Sequence, residues 1–270
     1  MTGAAAGSGA LIRTGFNDLL EAFRCWQLWS KFANDDLRGR FRRSWVGPLW
    51  LVLTTIIFVG ALSLVYSTLF KADIRTYMPF VAIGVVVWWF ISAVASESVM
   101  TFVEAESFIR QVRLNLFVYV LRVVWRNALV FAHHFVVALA TVFVLAFPDV
   151  RLLPLAAIGV LLLLLQGLWL APLLGLIGTR FRDLHPIISS LLQVMFFVTP
   201  VLWSPSLLGD RRWIADFNPL HSLIAVVREP LLGDVPGFAT YATVLAMTVM
   251  GFLLAMLAYG RFKARVVYWL

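Results

Sequence analysis

The sequence predicts an all-α integral membrane protein with six transmembrane helices. Of its 270 residues, 61% are apolar and only 13% are charged, whereas a soluble domain has about 25% charged residues. A soluble fold of this length could not bury so much apolar surface in one core. The alternation of apolar and polar residues that a membrane β-barrel requires is not sustained anywhere in the chain. We therefore expect the spans to be helices.

Six apolar runs are long enough, or nearly so, to cross about 30 Å of hydrocarbon as helices. The third is longer than one span requires, and the fifth is short and bounded by Pro186 and Pro200. Residues 1–15 are predicted to form a disordered tail without the pattern of a cleaved signal peptide, and 261–270 a cytoplasmic tail. The runs form a domain at 47–260 and lie at 47–70, 78–102, 117–147, 152–178, 186–203 and 239–260.

The distribution of basic residues predicts the orientation of these spans. If the N-terminus is inside, sixteen of the 22 lysines and arginines fall on the cytoplasmic side, as the positive-inside rule requires. Both termini are then cytoplasmic, and the net charge of +8 reflects topology and needs no nucleic-acid partner.

A basic cluster lies between an amphipathic segment and the first span. Apolar residues from Phe16 to Trp29 recur at three- and four-residue spacing, which predicts a cytoplasmic interface helix within 16–46. Two roles for the cluster stay open. It can anchor the chain to anionic headgroups, or it can bind the phosphate of a substrate, since arginine holds phosphate with two hydrogen bonds. The cluster comprises Arg38, Arg40, Arg42 and Arg43.

Few residues carry a chemical signature. The chain has no G-x-x-x-x-G-K-[ST] run and so no P-loop for ATP. His133 and His134 point about 100° apart on a helix, which favours hydrogen bonds between helices over a metal site. Glu97 lies inside a span and should face the protein interior. A functional role and an ion pair with Arg122 or Arg126 are both consistent with that position.

The connection at 103–115 places acidic residues early and basic residues late. This order complements the dipole of a short cytoplasmic helix, and Glu106 and Arg110 have the spacing of an ion pair. We expect the helix to expose Phe108 and Ile109. It is either a simple turn between spans or a docking element for a cytoplasmic partner.

The outer segment at 198–237 is neither a hydrophilic loop nor a full span. Prolines break it into two apolar pieces of 8–14 residues, which predicts re-entrant or interfacial helices at about 205–235. Non-helical backbone is tolerated at membrane depth only under protein or beside a water-filled cavity. Such a cover implies a pathway beneath it, and hence a transporter rather than a receptor.

Four segments in chain order carry a resemblance to a known family. They are "RGRFRRSWVGPLW" at 38–50, "RFRDL" at 180–184, "TPVLWSP" at 199–205 and "FNPLHSLIAVVREPLLG" at 217–233. From Phe16 onwards the chain resembles the permease subunits of type-2 ABC exporters, in the polysaccharide branch. In the first segment Phe41 stands where the family usually has Tyr, and Val46 where it has Leu.

The resemblance implies a homodimer in the bacterial inner membrane, driven by two copies of a separate ATPase that would hold ATP and Mg. It implies no cofactor and no catalytic or metal site on this chain. The substrate would be a polysaccharide such as O-antigen, linked to polyprenyl pyrophosphate. The residues assigned to ATPase coupling are Glu104, Glu106, Phe108, Ile109, Arg110 and Arg113, and those assigned to an outer gate are Pro205, Leu207, Asn218, Pro219 and Leu223.

Aromatic residues are more numerous than interfacial belts alone require. Sugar rings stack weakly on aromatic faces, so some of these side chains are candidates for a channel lining. Lipid-facing or packing roles are equally consistent for each of them. The candidates lie on the first, second and fifth spans: Phe58, Tyr66, Trp88, Trp89, Phe196 and Phe197.

Three other functions remain open from the sequence. The exported polymer could be a capsular polysaccharide or teichoic acid, and a drug or lipid exporter would share the architecture. A membrane-bound glycan transferase would need acidic residues near a membrane surface, for which Glu97, Glu104 and Glu106 are the candidates.

Overall fold

The computed structural model describes residues 7–42 and 44–270, and no strand occurs among them. A π-helical turn at Val142–Ala146 continues α7, and 3₁₀ turns lie at Val150–Leu152, Pro205–Arg211 and Lys263–Arg265. The α-helices are α1 Ser8–Arg24, α2 Trp26–Phe41, α3 Leu49–Phe70, α4 Ile74–Val99, α5 Thr101–Glu104, α6 Glu106–Gln111, α7 Phe117–Thr141, α8 Leu153–Arg180, α9 Leu184–Val198, α10 Trp213–Asp216, α11 Pro219–Leu232, α12 Phe238–Phe262 and α13 Val266–Trp269.

Five of these helical segments are long and apolar enough to cross a membrane. The sixth predicted span corresponds to α9, which has only 15 residues and would reach about 22 Å at 1.5 Å per residue. The all-helical membrane fold is confirmed, and the count of six spans stays a prediction. The five segments are Leu49–Phe70, Ile74–Val99, Phe117–Ala146, Val150–Arg180 and Phe238–Trp269.

The predicted disordered tail is wrong for the residues from Ser8 onwards, where α1 begins. The backbone of α1 lies so close to α12 that a side chain in place of Gly15 would meet the backbone of Met256. One turn further along α12, a side chain in place of Gly260 would meet the carbonyl of Leu11. This packing against α12 orders the segment. Residues 1–6 lie outside the described part of the chain.

The interface segment is two helices that pack on one end of the bundle. α1 and α2 meet at Cys25, and Leu19 and Ala22 of α1 are buried in an apolar cluster with Phe117 of α7 and Tyr259 of α12. Lys263 donates to Asp18 over 2.7 Å. The amphipathic segment is thus attached to the bundle through both apolar and ionic contacts. We call this end, where α1, α2 and the last turns of α8 and α12 meet, the basic end.

The centre of the bundle is α4, which packs against α3, α7, α8, α9 and α11. Its helix is started by Asp73, whose side chain accepts a hydrogen bond from the backbone of Arg75. Glycines let neighbouring backbones approach closely, because a side chain on Gly178 would meet the carbonyl of Val99, and one on Gly159 the carbonyl of Val226. Small residues at such contacts are typical of helix packing in membranes.

Candidate functional site

A network of ion pairs ties α2 to the bundle at the basic end. The carboxylate of Asp36 accepts hydrogen bonds from Arg122, with Nε to Oδ2 at 2.7 Å and Nη2 to Oδ1 at 2.6 Å. Arg126, one turn further along α7, donates from Nη1 to Oδ2 of Asp36 over 2.9 Å. Because the bond to Arg122 is bidentate, it fixes the orientation of the carboxylate as well as its position.

Glu97 of α4 extends the same network. Arg126 Nη2 donates to Glu97 Oε2 over 2.8 Å, and Asn127 Nδ2 donates to the same oxygen over 2.7 Å. The other oxygen, Oε1, accepts a longer bond of 3.4 Å from Nη2 of Arg40 on α2. Of the pairings left open by the sequence, Glu97 forms an ion pair with Arg126. We refer to Asp36, Arg40, Glu97, Arg122, Arg126 and Asn127 together as the junction.

The surroundings of Asp36 favour its ionised form, which the ion pairs with Arg122 and Arg126 require. Burial by itself would raise the pKa of the carboxyl, but the hydrogen bonds and charges of Arg122 and Arg126 outweigh it and hold the pKa below its usual 3.8. Asp36 is therefore ionised at neutral pH. The junction brings two carboxylates and three guanidiniums together, so it carries a net positive charge at the point where α2 reaches the bundle.

Of the predicted arginine cluster, only Arg40 is part of the junction among the residues described. Its side chain is 50% exposed even with the bond to Glu97. Arg38 and Arg42 are exposed and form no ion pair in the described ranges 7–42 and 44–270. Arg43 lies outside them. The structure thus leaves two guanidiniums accessible to an anion and holds a third by one long bond.

Sequence reasoning did not assign Asp36, Arg122 or Asn127 to a site. A signal was present, because Arg122 and Arg126 lie four residues apart on one face of an otherwise apolar helix. Such a pair in a span needs an acidic partner. Asp36 is distant in sequence, and only the folding of α2 onto α7 brings it there.

The predicted helix at 103–115 is shorter than expected and broken. α5 ends at Glu104 and α6 runs from Glu106 to Gln111. The Glu106–Arg110 ion pair is present, with Arg110 Nε 2.9 Å from Glu106 Oε1. Phe108 is 49% exposed as predicted, and Glu104 and Arg113 are exposed as well.

The expected exposure of Ile109 is wrong. Its side chain is buried, at 9%, in the cluster that contains Phe102 and Phe117. In α6 Ser107 and Phe108 face outwards, whereas Ile109, about 100° further around the helix, faces the bundle. Ile109 attaches α6 to the bundle, while Phe108 lies 6.1 Å from the ring of Phe32 on α2.

The six aromatic candidates form separate groups. Phe58 of α3 packs on Trp89 of α4 with centroids 5.2 Å apart, and Tyr66 packs on Phe70 at 5.8 Å. In another group, Trp88 contacts Phe196 at 5.7 Å, and Phe196 contacts Phe197 at 5.4 Å.

Exposure separates these candidates further. Phe58 and Phe197 are 41% and 66% exposed, but Trp88 is only 5% exposed. Trp88 is enclosed by helices of its own chain, so it lies in the packed core of this protomer and presents no open surface to a polymer. Phe58 and Phe197 keep the exposure that a lining residue requires.

The outer segment folds back onto the bundle. α11 begins at Pro219 with Asn218 as its N-terminal cap and ends at Leu232, and its C-terminal cap is Gly233, whose φ of 95° suits glycine. Leu223 is 2% exposed and Asn218 is 7% exposed, while Leu207 in the preceding 3₁₀ turn is 59% exposed. Pro205 opens that turn. Of the predicted gate residues, Asn218 and Leu223 are therefore buried, Pro205 is half-buried, and Leu207 and Pro219 are exposed.

Buried polar contacts fix α11 to the turn that follows α9. Arg228 donates to the carbonyls of Pro200 and Val201 over 2.8 and 3.0 Å, and its guanidinium lies 3.9 Å from the centre of the Phe80 ring. Asn218 donates to Thr199 over 3.0 Å. The segments "TPVLWSP" and "FNPLHSLIAVVREPLLG" are thus direct neighbours. We call this arrangement the outer clamp.

The two histidines behave as hydrogen-bonding side chains. Nδ1 of His134 shares a 2.6 Å hydrogen bond with the hydroxyl of Thr55 on α3, which links two helices as predicted. Nδ1 of His133 lies 2.7 Å from the carbonyl of Leu129 in its own helix.

The protein is a bundle of apolar helices. It has a charged interface helix at one end and the outer clamp at the other, which is the architecture of a membrane transport subunit. The family model of the ABC-2 type transporter matches residues 28–232. The chain belongs to the ABC-2 type transporter family, and it is a transporter subunit that is not itself catalytic. Among the candidate acids of a transferase, Glu97 and Glu106 are engaged in ion pairs.

Similar proteins of established name cover most of the chain. An O-antigen export system permease protein RfbA of Klebsiella pneumoniae is 25% identical over 236 residues, which make up 86% of this chain and 89% of that protein. A second protein of that name and organism is 26% identical over 232 residues, covering 81% of this chain and 87% of its own length. A protein of the same name from Myxococcus xanthus is 28% identical over 223 residues, which make up 77% of this chain and 83% of that protein.

Proposed function

We propose that this chain is the permease subunit of an ABC exporter that moves an O-antigen-like polysaccharide, linked to polyprenyl pyrophosphate, across the bacterial inner membrane. The observation that carries the proposal is the similarity, over most of both chains, to proteins named O-antigen export system permease. A permease of this kind works with its N- and C-termini in the cytoplasm, where the basic end would lie.

The energy would come from a separate ATPase, because this sequence contains no P-loop. α6 offers a surface for that partner. Its inner residue, Ile109, is buried, and its outer face presents Phe108 and the Glu106–Arg110 pair. A short helix attached on one side and exposed on the other can transmit a push without changing its own fold.

Contacts within the chain provide a route from α6 to the junction. Phe108 packs on Phe32 of α2, and the guanidinium of Arg122 lies 5.9 Å from the centre of the same Phe32 ring. Arg122 in turn binds Asp36. A displacement of α6 would therefore move α2 against α7 and change the distance between Arg40 and Glu97, the longest bond of the junction.

The transport pathway would run between two copies of the chain. α3 leaves most of its apolar surface uncovered within one protomer, and Phe58 and Phe197 are exposed on α3 and α9. Facing another copy, these rings would line a channel along which sugar rings can slide. The outer clamp would close its far end.

The pyrophosphate of the substrate would bind at the basic end. Arg38 and Arg42 are exposed, and Arg40 has only the long contact with Glu97 to give up. Arginine suits this ligand because its planar guanidinium donates two parallel hydrogen bonds to phosphate. In this proposal Arg43, which lies outside the described residues, belongs to the same cluster.

The test is complementation together with co-purification. In a strain without its own permease, this chain and the ATPase encoded beside it should restore surface polysaccharide, and the tagged chain should retain the ATPase. Phe108→Ala combined with Arg110→Gln should weaken ATPase retention, whereas the control Arg13→Gln, an exposed change on α1, should not. Retention unchanged in the double variant would refute the docking role of α6, and failure of any ATPase to co-purify would refute the proposed function.

A further inference from the structure

A cavity of about 490 Å³ opens between α8, α12 and α13 at the basic end, away from the junction. Toward the middle of the helices it is lined by apolar side chains, among them Leu173 and the buried Leu176 on α8 and Ala258 on α12. Its other part, at the ends of these helices, is lined by Arg180, Arg265 and Trp269, and we call this part the mouth. The cavity therefore has an apolar part and a basic mouth.

The two arginines at the mouth are not neutralised by the protein. Neither Arg180 nor Arg265 forms an ion pair in the described part of the chain, and no acidic side chain lines the cavity. Each rests on an aromatic ring, with Arg180 5.7 Å from the ring centre of Trp269 and Arg265 5.7 Å from that of Phe262. Such contacts hold the guanidiniums in place and leave their N–H groups free for an anion.

The shape of the cavity selects among anions. From Leu173 to Arg180 the wall follows α8 for seven residues, which is about 10 Å at 1.5 Å per residue. This length can accommodate several methylene groups beneath a charged headgroup. A free phosphate ion would occupy only the basic mouth, whereas a lipid would place its headgroup in the mouth and an acyl chain in the apolar part. The tryptophan at the mouth is also typical of the membrane interface.

We propose that this cavity binds an anionic phospholipid, with the phosphodiester held by Arg180 and Arg265 and one acyl chain lying against α8 and α12. Basic residues that only set the topology of a membrane protein do not have to line a cavity, but Arg180 and Arg265 do. The proposal goes beyond the transport function and does not depend on it, because the site is separate from Arg40 and the junction.

The proposal can be tested by native mass spectrometry of the full chain in detergent, titrated with phosphatidylglycerol or with phosphatidylcholine of the same acyl chains. The wild type should bind phosphatidylglycerol preferentially. The double variant Arg180→Gln with Arg265→Gln should lose affinity for it by about tenfold or more, since charge-assisted hydrogen bonds are lost. The control, Arg13→Gln with Arg24→Gln, removes the same charge from exposed positions on α1 and should bind as the wild type does.

A second variant examines the apolar part. Ala258→Phe would fill the interior and leave both arginines in place, so it should weaken phosphatidylglycerol binding, with an unchanged melting temperature as the check on folding. Equal losses in the control would show only a general charge effect and overturn the proposal. So would equal binding of the two lipids, or displacement of phosphatidylglycerol by millimolar inorganic phosphate, which would identify a site for a soluble anion.

Discussion

Arg126 and Arg228 are both buried arginines, but the protein compensates their charges in different ways. Arg126 binds two carboxylates, Asp36 and Glu97, that come from two other helices. Arg228 has no carboxylate partner in the described chain and instead binds two backbone carbonyls and the face of Phe80. The first is a connection between helices, and the second fixes a local turn.

The difference indicates which region can move. The junction is partly accessible, with Glu97 28% and Asp36 20% exposed, so its bonds can exchange with water. In the outer clamp Arg228 is only 4% exposed, and a side chain in place of Gly84 would collide with its guanidinium. We infer that α2 is adjustable relative to the bundle, whereas α11 and the turn after α9 move as one body.

The largest effect is expected from breaking the junction. Arg126→Met leaves Asp36 and Glu97 without their shared cation, and losing one partner of a buried pair costs about 3 kcal/mol. The measurement is thermal unfolding in detergent, with the exposed Arg113→Met as control. Adding Glu97→Gln to Arg126→Met should recover part of the loss. Strict additivity of the two changes would contradict a direct interaction.

A smaller effect is expected at the outer clamp. Arg228→Lys keeps the charge but cannot donate to both carbonyls with the same geometry, so one buried acceptor is left unpaired at a cost of about 2 kcal/mol. Arg211→Lys, an exposed change in the same outer segment, should have no effect on the melting temperature. Equal melting of both variants would mean that the carbonyl contacts do not stabilise the turn.

Acid should weaken the junction and leave the outer clamp intact. Because the pKa of Asp36 is lower in the folded protein than its usual 3.8, its contribution to stability is complete above pH 3.8 and is lost as the pH falls through the folded-state value. Asp36→Asn should cost about 1.5 kcal/mol at pH 7. This difference from the wild type should shrink below pH 3.8. A constant difference down to pH 2 would exclude the charge of Asp36 as its cause.

The smallest effect on stability, with the largest expected effect on export, is predicted for Arg40→Lys. An exposed ion pair contributes about 1 kcal/mol or less, so melting should change little, and insertion and ATPase binding should remain normal. If Arg40 binds the pyrophosphate, export should fall, because lysine lacks the planar fork of guanidinium, and Arg40→Gln should be worse. Unchanged export in Lys variants of Arg38, Arg40, Arg42 and Arg43 would leave the cluster as a membrane anchor.

Local composition was sufficient to predict most of the helices. The run at 47–70 is α3 at Leu49–Phe70, and the run at 239–260 is α12 at Phe238–Phe262. In hydrocarbon every backbone group must be paired within the segment, so a long apolar run has little alternative to a helix. The second run was predicted to start at 78, yet α4 starts at Ile74, because the cap at Asp73 allows the helix to include polar residues.

The sequence did not show which helices and side chains contact each other within the fold. The second and first spans have similar apolar composition, but 72% of the apolar window of α4 is buried and only 17% of that of α3. The same limit applies to Ile109, which the sequence placed outside, and to Asp36, which it left without a role. Apolar character decides whether a segment can lie in a membrane, and it is a sum over the residues of that segment. Which face is covered, and which distant charge completes a pair, depends on how helices far apart in the chain pack together.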